Sequence, residues 1–223
     1  MLPAVRSFLT ALAGLFMSGA RTRIAVYFDW QNVYKTAREA FGLVNMPNEH
    51  GNFSPFRLAQ ILAAGNGRGT DAELVRVEIH RGLPSQRHDP MSYAANRRQS
   101  AAWIADDPQT VIPKLRPLRY PRSYPQEPAI EKGVDVNLAL AAVEWTLTHK
   151  CDVAIVFSHD NDLLPVPETI TRLMGPGHVE TASWQSPRFN KRLRPRPPVY
   201  HHTLTEAEFH RVETVVNYAY ARR

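Results

Sequence analysis

Residues 151–165, CDVAIVFSHDNDLLP, constrain the fold more than any other stretch of the chain. The run Val153–Phe157 is short, unbroken in its apolarity and rich in β-branched residues. Such a run predicts a strand covered on both faces, as in a parallel sheet. Polarity then returns at once, with Ser158, Asp160 and Asp162 within five residues. In open α/β sheets, ligands bind beyond the carboxyl ends of the strands. These three side chains are therefore expected where chemistry is done.

The remainder alternates between strand and helix patterns. Residues 23–29, RIAVYFD, predict a core strand that ends on Asp29, followed by a helix from Trp30 to about Phe41 with Gly42 as its stop. Further strands are expected at 73–80, 111–121 and 178–184. The prolines of 111–121 place that strand near an edge. Helices are expected at 58–64, 93–104, 134–149, 166–173 and 205–220. This alternation predicts an α/β, Rossmann-like three-layer fold around a central, mostly parallel sheet with right-handed crossovers. No linker divides the chain, so residues 23–223 are expected to form one domain after an N-terminal extension, 1–22.

That extension has two readings. Arg6, the apolar stretch 8–16 and Ser18-Gly19-Ala20 resemble a secretion signal. Alternatively, synthesis starts at Met17 and the preceding residues are an over-extended start. The second is favoured, because a core strand opening at Arg23 leaves almost no leader after cleavage near Ala20. The apolar stretch is shorter than the roughly 20 residues a membrane span needs, so no stable membrane association is expected. The single cysteine, Cys151, excludes an intramolecular disulfide and a cysteine-based zinc site, and fits a reducing cytoplasm. A net charge of +6 suits a polyanionic partner.

Four acids occupy comparable positions. Asp29 ends one strand, Asp160 and Asp162 follow another, and Asp135 opens the helix before it. Each has a bland explanation alone: Asp29 as a helix cap, Asp135 as a first-turn acid, residues 160–162 as an Asx turn. Together they would converge if the strands ending at Asp29 and Phe157 were neighbours at a switch point. Clustered carboxylates raise one another's pKa unless a cation neutralises them, and hard oxygen ligands select Mg²⁺ or Mn²⁺. Such a centre activates water and stabilises charge on a phosphate. The residues alone thus indicate a metal-dependent phosphoryl hydrolase.

The order FDWQN, EKGVDVNLAL, FSHDND resembles the NYN domain, the LabA-like branch of the PIN-like nucleases. Asp29 and Asn32, then Lys132, Gly133 and Asp135, then Ser158, Asp160 and Asp162 match its three motifs, and VETASWQ and LTEAEF resemble its last strand and helix. The resemblance implies that Asp29, Asp135, Asp160 and Asp162 hold Mg²⁺ or Mn²⁺, directly or through water. It implies that Asn32 and Ser158 orient the acids and the scissile phosphate, and that the reaction is hydrolysis of single-stranded RNA. One departure stands out: family members often carry another Asp six residues after the position of Asp135, where this chain has Ala141. That leaves one metal or two open, and keeps a non-catalytic RNA-binding module as the rival.

A phosphatase using an aspartyl-phosphate is disfavoured, because Trp30 and Gln31 stand where Asp-x-Asp is required after the first strand. A peptide-binding scaffold, a homodimer and a protein partner all remain open. Residues 186–198 interleave Arg188, Lys191, Arg192, Arg194 and Arg196 with Phe189, followed by Tyr200, a pattern suited either to a nucleic-acid backbone or to a solvated loop. Arg97 and Arg98 read as a solvated face. His201, His202 and His210 read as scattered imidazoles rather than ligands, and His159 as an exposed position within the motif. Trp103, Trp145 and Trp184 are expected in the core, and Trp30 at the rim of the site.

Overall fold

The computed structural model describes residues 21–220. The readings of residues 1–20 lie outside the described residues.

Six strands, all parallel, form one sheet in the order β3-β2-β1-β4-β5-β6: β1 Thr22–Asp29, β2 Ala72–Leu83, β3 Val111–Pro117, β4 Val153–Phe157, β5 Val179–Trp184 and β6 His201–Leu204. β1 and β4 are neighbours, with Phe28 opposite Phe157. The chain winds one way from β1 to β3 and the other way from β4 to β6, so the switch point lies between the two strands that carry the acids. The proline-bearing β3 is an edge, as its sequence predicts.

Period-two alternation divides the core into two layers. Ile24, Val26 and Phe28 of β1 and Val153, Ile155 and Phe157 of β4 face one side. They pack on helices α1 (Trp30–Ala40), α2 (Pro55–Ala64), α3 (Pro90–Asp106) and α6 (Glu206–Val212). Ala25, Tyr27, Ala154 and Val156 face the other, against α4 (Val134–Leu147) and α5 (Pro165–Met174). The result is the expected three-layer α/β fold. All of Val153–Phe157 is buried, which accounts for its unbroken apolarity.

Two elements differ from expectation. The last helix ends at Val212 rather than running to Tyr220. Thr205 and Glu208 form a capping box at its start. Beyond it, however, Thr214, Val215 and Val216 are β-branched and favour extended backbone. There Thr214 N–H donates to the Asn52 carbonyl at 2.8 Å. β6 has no local signal, since HHTL is short and half polar. It forms because His201 reaches across to β5, its ring nitrogens 2.8 and 2.9 Å from the Thr181 and Ser183 hydroxyls. Trp145 is only half buried, with the Arg76 guanidinium 3.9 Å from its ring centre. No helix among the described residues is long and apolar enough to cross a membrane.

Candidate active site

The parallel register of β1 and β4 decides which groups meet. With Phe28 beside Phe157, the next residues along, Asp29 and Ser158, emerge together. Ser158 Oγ–H donates to Asp29 Oδ2 at 2.8 Å, and Asp160 N–H donates to Ser158 Oγ at 3.1 Å. On the other side Asn32 N–H caps Asp29 Oδ1 at 3.4 Å, because Asp29 is also the N-cap of α1. Asn32 Oδ1 accepts the His159 backbone N–H at 2.9 Å. Asn32 and Ser158 therefore tie the end of β1 to the loop after β4. Asp160 Oδ1 accepts Asp162 N–H at 3.0 Å, so the Asx turn forms as well.

Asp135 joins these groups through charge rather than hydrogen bonding. It lies in the first turn of α4, after Gly133, whose φ of +74° is a left-handed conformation that favours glycine. A Cβ at Gly133 would sit 3.2 Å from the Arg116 guanidinium, which donates to the Lys132 carbonyl at 2.9 Å. Burial raises the Asp135 pKa, and the charges of Asp160 and Asp162 raise it further. Asp29, 4% exposed, is pushed up to about 7, chiefly by burial, with Asp135 and Glu131 adding while the Ser158 hydrogen bond opposes.

Glu131 is a member of this group that sequence reasoning missed. Its Oε2 accepts the Gly82 N–H at 2.8 Å, and burial and Asp135 raise its pKa. Its signal lay within EKGVD, two positions before the glycine. His80, the register partner of Asp29 on β2, was missed too. Its Nε2–H donates to Glu78 at 2.8 Å, and its Nδ1 lies 3.4 Å from Asn137 Nδ2.

The donor set is purely oxygen, so it fits a hard cation. Three of its acids carry raised pKa values, chiefly because they are buried and further because of one another's charge. Among the described residues, no three acids, histidines or cysteines stand close enough to form a ready coordination shell. The arrangement suits Mg²⁺, which keeps several of its waters and needs only one or two carboxylates. Asp29 with Asp160, and Asp135 across from them, would hold such an ion.

Several neighbouring residues are not where the sequence suggested. His159 is not an exposed motif position. Its Nε2 accepts the Trp184 backbone N–H at 3.2 Å, its Nδ1 lies 3.1 Å from Asn32 Oδ1, and burial pushes its pKa down to about 4. It is a neutral strut joining β4, α1 and β5. Trp30 is not a rim surface but a core residue, packed on Trp103 with ring centres 4.3 Å apart. In the basic segment Phe189 is buried beside His159, which removes it as a stacking platform. Phe189, Leu193 and Pro195 anchor the segment, while Arg188, Lys191, Arg192, Arg194 and Arg196 stay exposed, as does Tyr200.

Residues 23–174 match the family model of the NYN domain. The chain belongs to the NYN family. The matched span contains all three acidic motifs, and β5, β6 and α6 lie beyond it. NYN domains are in general nucleases, which places the chain at a coarse level among hydrolases. A crystal structure of a protein of unknown function from Vibrio parahaemolyticus is similar over 85% of this chain and 96% of that one, with a TM-score of 0.53 and 21% identity. That likeness concerns the fold alone. No curated protein sequence matches the chain.

Proposed function

We propose that this NYN protein, of the LabA-like branch of the PIN-like nucleases, is a divalent-metal-dependent endoribonuclease that hydrolyses single-stranded RNA. The observation that carries the reading is the chain of hydrogen bonds from Asp160 N–H through Ser158 to Asp29 at the sheet's switch point, facing Asp135, whose pKa burial and the charges of Asp160 and Asp162 raise. Bound Mg²⁺ or Mn²⁺ supplies an activated water and offsets charge on the phosphate. Ser158 and Asn32 hold the Asp29 carboxylate in one orientation, so it needs no rearrangement as charge develops. Gly133 and Arg116 fix the start of α4, which presents Asp135. The exposed cations of residues 188–196 attract the RNA backbone without reading sequence.

Incubation with single-stranded RNA, with Mg²⁺ or Mn²⁺ and with chelator, tests this reading. Cleavage should require the metal, and Asp160→Asn should reduce it by about 10²–10³-fold, the usual cost of removing one preorganised electrostatic group. Ala141 and the absence of a ready three-acid shell among the described residues favour a second reading, an RNA-binding module without turnover. Retention of RNA with no cleavage under either metal would establish that module and sink the enzyme.

A further inference from the structure

The outer face of α4 is apolar where water should meet it. Val136 and Leu140 are 62% and 65% exposed, and Leu147 is 37% exposed. Val143, partly buried, lies between them. At 3.6 residues per turn these four side chains fall within about 60° of one another and form one stripe, about 16 Å long. A helix lying on a sheet normally turns charged and polar residues outward. Of the four exposed residues of α4, only Glu144 is polar.

Two features identify what covers this face. The first is spacing. The intervals along the stripe are four, three and four residues, the same in either direction. Two copies of α4 laid antiparallel about a two-fold axis therefore set Val136 against Leu147 and Leu140 against Val143. Alternating intervals of three and four are the seam of helices that pack side by side at a shallow angle. The second is charge. Glu131 and Asp135 stand at the start of α4, where they outweigh Lys132, and His149 and Lys150 follow its end. Among the described residues, Glu131, Asp135, His149 and Lys150 enter no ion pair. Antiparallel pairing brings the basic end of each copy to the acidic end of the other.

We propose that α4 is a homodimer interface, in which two chains pack stripe to stripe about a two-fold axis. The contact uses the same patch on both copies, so it closes at two and builds no filament. One helix face per copy makes a small interface, and the dimer is correspondingly weak, with a Kd of about 10–100 µM. The proposal stands apart from the nuclease reading, since it uses none of that reading's chemistry. It nevertheless touches the same region. Asp135 opens the helix that carries the stripe, so assembly brings His149 and Lys150 of the other copy to the border of the acidic group.

Sedimentation equilibrium of the full chain, from about 1 to about 300 µM, tests the interface. The mass should rise with concentration from 25.3 kDa toward twice that value. Leu140→Glu buries a charge at the centre of the seam and should weaken the dimer by about a hundredfold or more, leaving a monomer throughout. Leu140 is exposed in the single chain, so this variant should keep the wild-type circular dichroism and Tm at about 1 µM, which separates lost assembly from misfolding. Lys150→Glu should weaken the dimer by about twofold to tenfold, the worth of two exposed ion pairs. Met91→Glu, exposed on the opposite layer, should leave it unchanged. A wild-type chain that stays monomeric to the highest concentration, or a dimer that withstands Leu140→Glu or Lys150→Glu, would overturn the proposal. So would a dimer lost with Met91→Glu. The chain enters β1 beside the end of α4, where Arg23 N–H donates to Asp152 at 2.8 Å. A monomer whose Tm falls with Leu140→Glu would therefore assign the stripe to residues 1–20 instead of a second copy.

Discussion

Asp29 and Glu180 are both buried carboxylates on the same sheet, 4% and 3% exposed, and their surroundings are opposite. Glu180 on β5 is surrounded by donors. Arg68 Nη1 and His202 Nε2 each lie 2.6 Å from it and Asn66 Nδ2 lies 2.7 Å away. Burial alone would raise its pKa, yet these partners bring it down to about 2. Glu78 on β2 repeats the pattern with Arg76 and His80, and its pKa is lowered. Asp29 has one hydroxyl and one backbone N–H, and the charges that reach it are those of other acids. The fold can therefore neutralise a buried carboxylate where it needs to. At the ends of β1 and β4 it gathers acids that, among the described residues, stand in no ion pair.

Replacing the two carboxylates should separate the regions most sharply. Glu180→Gln strands Arg68 and should cost about 3–5 kcal/mol in chemical denaturation at pH 7. The wild-type contribution is present above the unfolded value of 4.5 and is lost as pH falls toward about 2, so the variant's deficit should shrink over that interval. Asp29→Asn should have the opposite sign. Its folded pKa is raised from 3.8 to about 7, so the penalty for burying its charge is full above pH 7 and fades as pH falls toward 3.8. That penalty is at most roughly 4 kcal/mol, and a weakened cap offsets part of it. A gain of about 2 kcal/mol at pH 8, shrinking at pH 5, is expected in thermal unfolding, and a loss at pH 8 would break the comparison.

Divalent cation provides a smaller, sharper test. Mn²⁺ at ten times its Kd should stabilise the wild-type protein by about 1.4 kcal/mol at pH 8, read as a rise in Tm. Asp135→Asn should abolish the rise, and Glu78→Gln should leave it intact. The smallest effect belongs to Ser158→Ala. Loss of its hydrogen bond to Asp29 should raise the Asp29 pKa further, seen in NMR titration of the side-chain carboxyl, at about 1 kcal/mol. An unchanged pKa would show that the serine does not hold the carboxylate.

Much of this arrangement is legible in residue order because it is local. β1 and β4 announce themselves as apolar runs with no polar face, and Asp29, Ser158 and Asp160 follow from where those runs stop. What the sequence hides depends on chain segments meeting from far away. Glu131 becomes part of the site only because it caps Gly82, 49 positions earlier. His202 reads as a stray imidazole until β6 lies beside β5 and presents it to Glu180. Phe189 reads as a base-stacking ring, but the fold turns it inward and leaves the cations outside.

The pairing at the centre of the sheet also bears on how the protein is made. Asp29 and Ser158 hydrogen-bond across 129 positions of chain, and the intervening β2 and β3 pair on the far side of β1. On the ribosome, the apolar edge of β1 waits for Phe157 to emerge. Synthesis at roughly 5–20 residues per second makes that wait several seconds or more. For that period the nascent domain exposes the strand most prone to pair with another chain, so its yield in a cell should depend on chaperones more than its finished stability would suggest.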